Sequence, residues 1–134
     1  MPSTGSFAIK ICLVALLLAS GVTVRAAESP NAAQTRAIEA LAQDVKKDPN
    51  NSELWLHLGF AYRKTNHIDQ AQSAFEKAVS LNPNAKDANF MLGIIYESKH
   101  MTAEAEMAWE NYMAAETDPE KRAIAEKHIH HLSQ

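Results

Sequence analysis

Trp55, Leu58, Gly59, Tyr62, Ala71, Phe75, Ala78 and Pro83 stand at fixed offsets in a stretch that opens with SELW at 52–55. Moved forward by 34 residues, most of the series returns as Leu92, Gly93, Tyr96, Ala105 and Trp109. Moved back by 34, Pro83 falls on Pro49, and each proline is followed by Asn. A unit of this length is one supersecondary element that covers its apolar face only by stacking on the next copy. Within the unit, Trp55, Leu58 and Tyr62 recur at i, i+3 and i+7, one face of a helix. Gly59 sits beside that stripe, where the missing side chain lets a neighbouring helix approach, at a propensity cost of ~1 kcal/mol relative to Ala. Ala71, Phe75 and Ala78 form the matching face of a second helix, two small residues flanking a ring, so that the two faces interdigitate. Asn66 falls in the turn between them, where Asn tolerates positive φ, and His100 is its counterpart in the second unit. Pro83 ends the second helix.

A 34-residue period with this residue order resembles the tetratricopeptide repeat, a helix–turn–helix unit. Every signature slot is filled over 52–85, and most are filled over 86–119. Three departures stand in the second unit: Tyr112 in the slot of Ala78, Asn89 in that of Trp55, and Pro119 two residues late. A ring in a close-contact slot predicts that the next helix is pushed outward and packs as an irregular cap. Two units are too few for stability, since about three are needed. The flanks supply the remainder. At about 30–47, SP at 29–30 starts a helix whose stripe is Ala33, Ala37, Ile38, Leu41 and Val45. At about 119–132, TDPE at 117–120 has the form of a capping box led by Thr117, and Ala125, Ile129 and Leu132 face inward. The expected fold is all-α, a short solenoid of about six antiparallel helices: a leading half-repeat, two full repeats and a trailing capping helix.

The resemblance implies binding rather than catalysis, because such repeats hold a peptide or helix of another protein on a concave face lined by their first helices. The family's groove slots fall here on Leu56, Phe60, Arg63 and Lys64, and on Phe90, Ile94, Glu97 and Ser98. Their apolar floor with a basic edge suits an amphipathic helix or an extended apolar segment with an acidic flank. Two other outcomes stay open. The terminal helices cover Phe60, Phe90 and Ile94, or the end of the stack pairs with a second copy as a homodimer. The expected function is a non-catalytic adaptor, and the alternative is a small oligomerising or assembly subunit.

The N-terminus reads differently. Residues 11–24 (ICLVALLLASGVTV) carry no charge, and Lys10 is the only charged side chain before them. A bilayer span needs roughly 20 apolar residues, whereas the central part of a secretory signal needs about 7–15. Small residues at 24 and 26 suit a cut after Ala26, so 1–26 is expected to be a secretory signal and 27–134 the helical domain. An uncleaved anchor is the alternative, because Arg25 is unusual at a cleavage site. Cleavage would leave no stable membrane insertion, and a location in the periplasm of a Gram-negative bacterium is expected. Lys10 and Arg25 would leave, so 11 basic side chains face 16 acidic ones, a net charge of −5. Nucleic acid, which calls for clustered Lys and Arg, is not an expected partner. Cys12 would leave as well, removing every disulfide, thiolate ligand and cysteine nucleophile.

Of the remaining chemistry-bearing residues, His128 and His131 share a helix face at i, i+3, beside His130. Neither a cysteine nor a placed carboxylate completes a ligand set, so no metal and no cofactor is expected, and the histidines read as exposed residues favouring a helix C-terminus. No phosphate loop, nucleophile elbow or zinc-protease motif is present, and an enzyme is not expected. Met91, Met107 and Met113 read as gap-fillers in the second unit.

Overall fold

A computed structural model describes residues 30–134. The expected signal at 1–26 and Ser29 lie outside the described residues. Six helices follow one another: α1 (Pro30–Lys47), α2 (Ser52–Lys64), α3 (Ile68–Leu81), α4 (Lys86–Ser98), α5 (Thr102–Ala115) and α6 (Pro119–Leu132), with no strand among the described residues. Each helix packs substantially only on the next one along the chain. This is the expected all-α solenoid of consecutive hairpins.

The hairpins close through the glycine and ring slots. Ala71, Phe75 and Ala78 of α3 are completely buried, as are Ala105 and Trp109 of α5. A Cβ built on Gly59 would lie 2.6 Å from Phe75 Cε1, and one on Gly93 would lie 2.6 Å from Trp109 Cε2. The missing side chains therefore set the closeness of both pairs. Asn66 and His100 take positive φ, 62° and 57°. The N–H of the residue directly after each returns to a carbonyl five residues back, His67 to Tyr62 and Met101 to Tyr96, both at 2.9 Å. The two units thus share one helix-ending turn.

The substitution of Trp55 by Asn89 keeps one function of the slot. The Trp55 indole N–H donates to the Pro49 carbonyl at 2.8 Å, and the Asn89 amide donates to the Pro83 carbonyl at 2.9 Å. Both prolines lie six residues upstream, so each repeat ties its first helix to the preceding stop through the same hydrogen bond.

At the leading end, Ile38, Leu41 and Val45 pack with Leu58 and Ala74, whereas Ala33 and Ala37 are exposed. Ala37 occupies the slot of Ala71, which in a full unit faces its own first helix. No described helix stands there, so this half of the predicted stripe has nothing to cover it. At the trailing end, Tyr112 is buried beside Trp109 and the completely buried Ala125. The small side chain of Ala125 gives the ring room, and α6 begins 33 residues after α4, within one residue of the period. Its cap is Asp118, whose Oδ1 accepts from Glu120 N at 3.0 Å, not the predicted Thr117. Pro119 takes the first helical position, which makes the residue before it the cap. Met91 is buried and Met113 half-buried, but Met107 is 62 % exposed and fills no gap.

Candidate functional site

The first helices α2, α4 and α6 carry the predicted groove, and the structure divides its residues into two groups. Leu56 is 8 % exposed and joins Phe75, Met91 and Ile95 in the main core, so it is unavailable to a partner. Phe60 is half-buried with its ring 5.3 Å from Phe75, edge to face. Phe90 is half-buried too, 5.2 Å from both Trp109 and Tyr112. The ring of Tyr112 in the Ala78 slot gives Phe90 a surface to lie on. Arg63, Lys64, Ile94 and Ser98 are exposed.

Glu97 is engaged within the protein. Its Oε1 accepts the Trp109 indole N–H at 2.6 Å. Its two oxygens lie 2.8 and 3.1 Å from Nδ1 of His128 on α6. An ionised carboxylate has no proton to give, so Nδ1 is the donor. The imidazole in turn stacks on the Trp109 indole, ring centres 4.3 Å apart and planes 16° from parallel. Sequence reasoning placed Glu97 toward a partner and His128 toward solvent. Instead they meet each other across 31 residues and fasten α6 to α4 and α5. Glu97 and Nδ1 of His128 are thus engaged by scaffold groups, and among the described residues no hydroxyl or thiol is bonded to the pair. Among the described residues, no group of three His, Cys, Asp or Glu side chains could hold a metal ion.

The 34-residue frame, carried one unit further, reaches α6. It sends Phe90 to Ile124, which is 44 % exposed on α6, and Ile94 to His128. Ile94 itself is 41 % exposed. The exposed surface of the first helices thus carries two isoleucines on successive helices, with Arg63 and Lys64 at the end of α2.

The turn before α6 is held by Glu116, which is only 3 % exposed. Its Oε1 accepts from the N–H groups of Thr117 and Asp118 at 2.9 and 3.0 Å. Its Oε2 lies 3.2 Å from Lys86 Nζ and 3.4 Å from the Tyr112 hydroxyl. The Asp118 N–H above all, then Lys86 and the Thr117 N–H, hold this carboxyl at about 2, below its usual 4.5, while burial opposes them. A pKa lowered by folding stabilises the native state in full above the unfolded value and loses that contribution as pH falls through the folded one. Glu116→Gln should therefore lower the melting temperature at neutral pH. Its deficit against the native chain should shrink between about pH 4.5 and pH 2, the two pKa values. A deficit that stays constant through that window in thermal melts would show that Glu116 is not the group responsible.

Two tetratricopeptide repeat profiles match the chain, one over residues 52–85 and one over 74–107. A probable UDP-N-acetylglucosamine–peptide N-acetylglucosaminyltransferase, SPINDLY, of Hordeum vulgare is 30 % identical over 82 residues, 61 % of this chain and 8 % of that protein. The formate-dependent nitrite reductase complex bifunctional subunit NrfFG of Haemophilus influenzae is 44 % identical over 45 residues, 34 % of this chain and 12 % of that protein. The chain therefore spans a small part of each of these relatives.

Proposed function

Residues 52–107 carry tetratricopeptide repeats, which mark the chain as a protein–protein interaction module, and we propose that it serves as a non-catalytic adaptor of the periplasm. On this reading it holds a peptide or amphipathic helix of another protein along α2, α4 and α6. The observation that carries the proposal is the pair Ile94 and Ile124, 41 % and 44 % exposed on consecutive first helices. Arg63 and Lys64 in the last turn of α2 suit a ligand whose apolar face has an acidic flank. Support for the compartment is the charge-free run at 11–24 with small residues at 24 and 26. No helix among the described residues is long and apolar enough to cross a membrane.

Replacing Ile94 and Ile124 together by Lys tests the surface without touching the core. Capture of cross-linked partner from the exported fraction should fall at least about tenfold, the effect of losing one modest hot spot. Undiminished capture by a helical double variant rules this surface out. The likeness to part of a nitrite reductase complex subunit favours a second reading, that of a small assembly subunit. On that reading the chain would travel at the size of a larger complex in light scattering, and the double substitution would release it as a monomer.

A further inference from the structure

A second surface lies among α3, α4 and α5, on the side built by the second helices. There a hollow of about 220 Å³ opens to solvent. This is less than the roughly 300–1,000 Å³ of small-molecule sites and closer to the volume of one long side chain. Val79, Leu92 and Met107 give it apolar walls, and the exposed Met107 can shift to fit an occupant.

The polar lining of the hollow is rich in acceptors with capacity to spare, although the Asn111 amide, which can donate as well as accept, also borders it. Asn89 is 1 % exposed, and its amide nitrogen donates to the carbonyls of Pro83 and Ala85. Both partners are carbonyls, so the nitrogen must face them and Oδ1 must be the remaining atom. Among the described residues no donor reaches Oδ1, and no fully enclosed side-chain atom is left without a partner, so this oxygen borders the open space. Glu76 and Glu104 also line the hollow. The Tyr96 phenol, pushed up by burial and by Glu76, keeps its proton and donates to Glu76 Oε1 at 2.9 Å. Among the described residues, that leaves Glu76 Oε2 and the Glu104 carboxylate without a hydrogen-bond donor. No cationic side chain lines the hollow.

The corresponding hollow of the first repeat, lined by Trp55, Tyr62, Asp69, Gln70 and Ser73, has polar residues that are exposed and holds no such buried oxygen. There the indole N–H already satisfies Pro49, and Lys99 Nζ sits 2.6 Å from Asp69. The exchange of Trp for Asn at one signature slot therefore leaves a buried acceptor in the second repeat alone.

A hollow with apolar walls, lined by one buried carbonyl oxygen and by two carboxylates on exposed residues, matches a cation on a hydrocarbon stem. We infer that this hollow receives a lysine or arginine side chain from a partner protein, at a site separate from the isoleucines of the first helices. The stem lies against Val79, Leu92 and Met107, while the charged head donates to Asn89 Oδ1, Glu76 and Glu104.

The test is an NMR titration of the full chain with Nα-acetyl-lysine methylamide and its arginine analogue. The norleucine amide serves as an uncharged control and spermidine as a free amine. The basic amides should shift the Asn89 side-chain amide and the Met107 methyl. E76Q/E104Q should weaken them at least about tenfold, as expected for charge-assisted hydrogen bonds. E39Q/E126Q, which removes equal charge from exposed sites elsewhere, should leave them unchanged. Equal binding of the norleucine amide, indifference to E76Q/E104Q, or shifts confined to Ile94 and Ile124 would each overturn the assignment. Spermidine binding more tightly than the amides would reassign the hollow to a free polyamine. Because Ile94 and Ile124 are left intact, failure here does not bear on partner capture by the first helices.

Discussion

Trp109→Ala should cost about 3–5 kcal/mol of stability, the largest single effect expected in this chain. The indole is completely buried and fills the ring slot of the second repeat. It supports Phe90 at 5.2 Å and Tyr112 at 6.1 Å, and it stacks on His128. Deletion leaves a cavity between α4, α5 and α6, and it takes from Glu97 one of its two hydrogen-bond partners. Urea unfolding followed by far-ultraviolet circular dichroism reads the loss without relying on the deleted fluorophore. Trp109→Phe, which keeps a ring but not the N–H, should lose about 1–3 kcal/mol, the range for a buried group deprived of its partner. If the alanine variant lost no more than the phenylalanine variant, α6 would have to collapse into the vacated space, and the account of a rigidly pinned ring would be wrong.

Gly93→Ala is the second large effect, and its direction runs against helix propensity. On an exposed helix the change would gain ~1 kcal/mol. Here the new methyl would stand 2.6 Å from Trp109 Cε2 and 2.8 Å from Cδ2. The indole cannot swing aside, because Glu97 holds its nitrogen and His128 covers a face. Overpacking of a filled core costs typically 1–3 kcal/mol, so net destabilisation is expected. Gly59→Ala meets Phe75 at the same 2.6 Å and should behave alike. Comparison of the two Tm values with that of an exposed control, Ser73→Ala, checks the sign. Stabilisation by either glycine substitution would mean that the helix pair can separate without penalty.

The period made most of the scaffold legible, because the same physical requirement recurs at the same offset. A glycine must meet a ring, small residues must flank it, and a left-handed residue must turn the chain. Asn66 and His100 could be placed on that ground alone, and both take positive φ. The groove was less legible, since slot position tells where a side chain starts and not what lies across from it. Leu56 is covered by the next hairpin, and Phe90 rests on a tyrosine that replaced an alanine. Glu97 and His128 looked like surface residues because each was read within its own helix. Their pairing depends on how far α6 folds back, which Ala125 opposite Tyr112 permits. Ile124 is legible only when the 34-residue frame is continued past Pro119, which arrives two residues late and breaks the match. The free oxygen of Asn89 had no sequence signal beyond its being an unexpected residue in a tryptophan slot.

The reach of the polar ties has a further consequence. Lys99 to Asp69, Lys86 to Glu116 and His128 to Glu97 bridge 30, 30 and 31 residues, each less than one period. With helix packing also dominated by successive elements, these ties among the described residues do not wait for a distant part of the polypeptide. Loop-closure entropy thus stays small at every stage, which places the chain among fast, low-contact-order folders. A strand of this kind can acquire its structure vectorially, each hairpin completing itself against the one already formed while the remainder is still threading through a narrow exit.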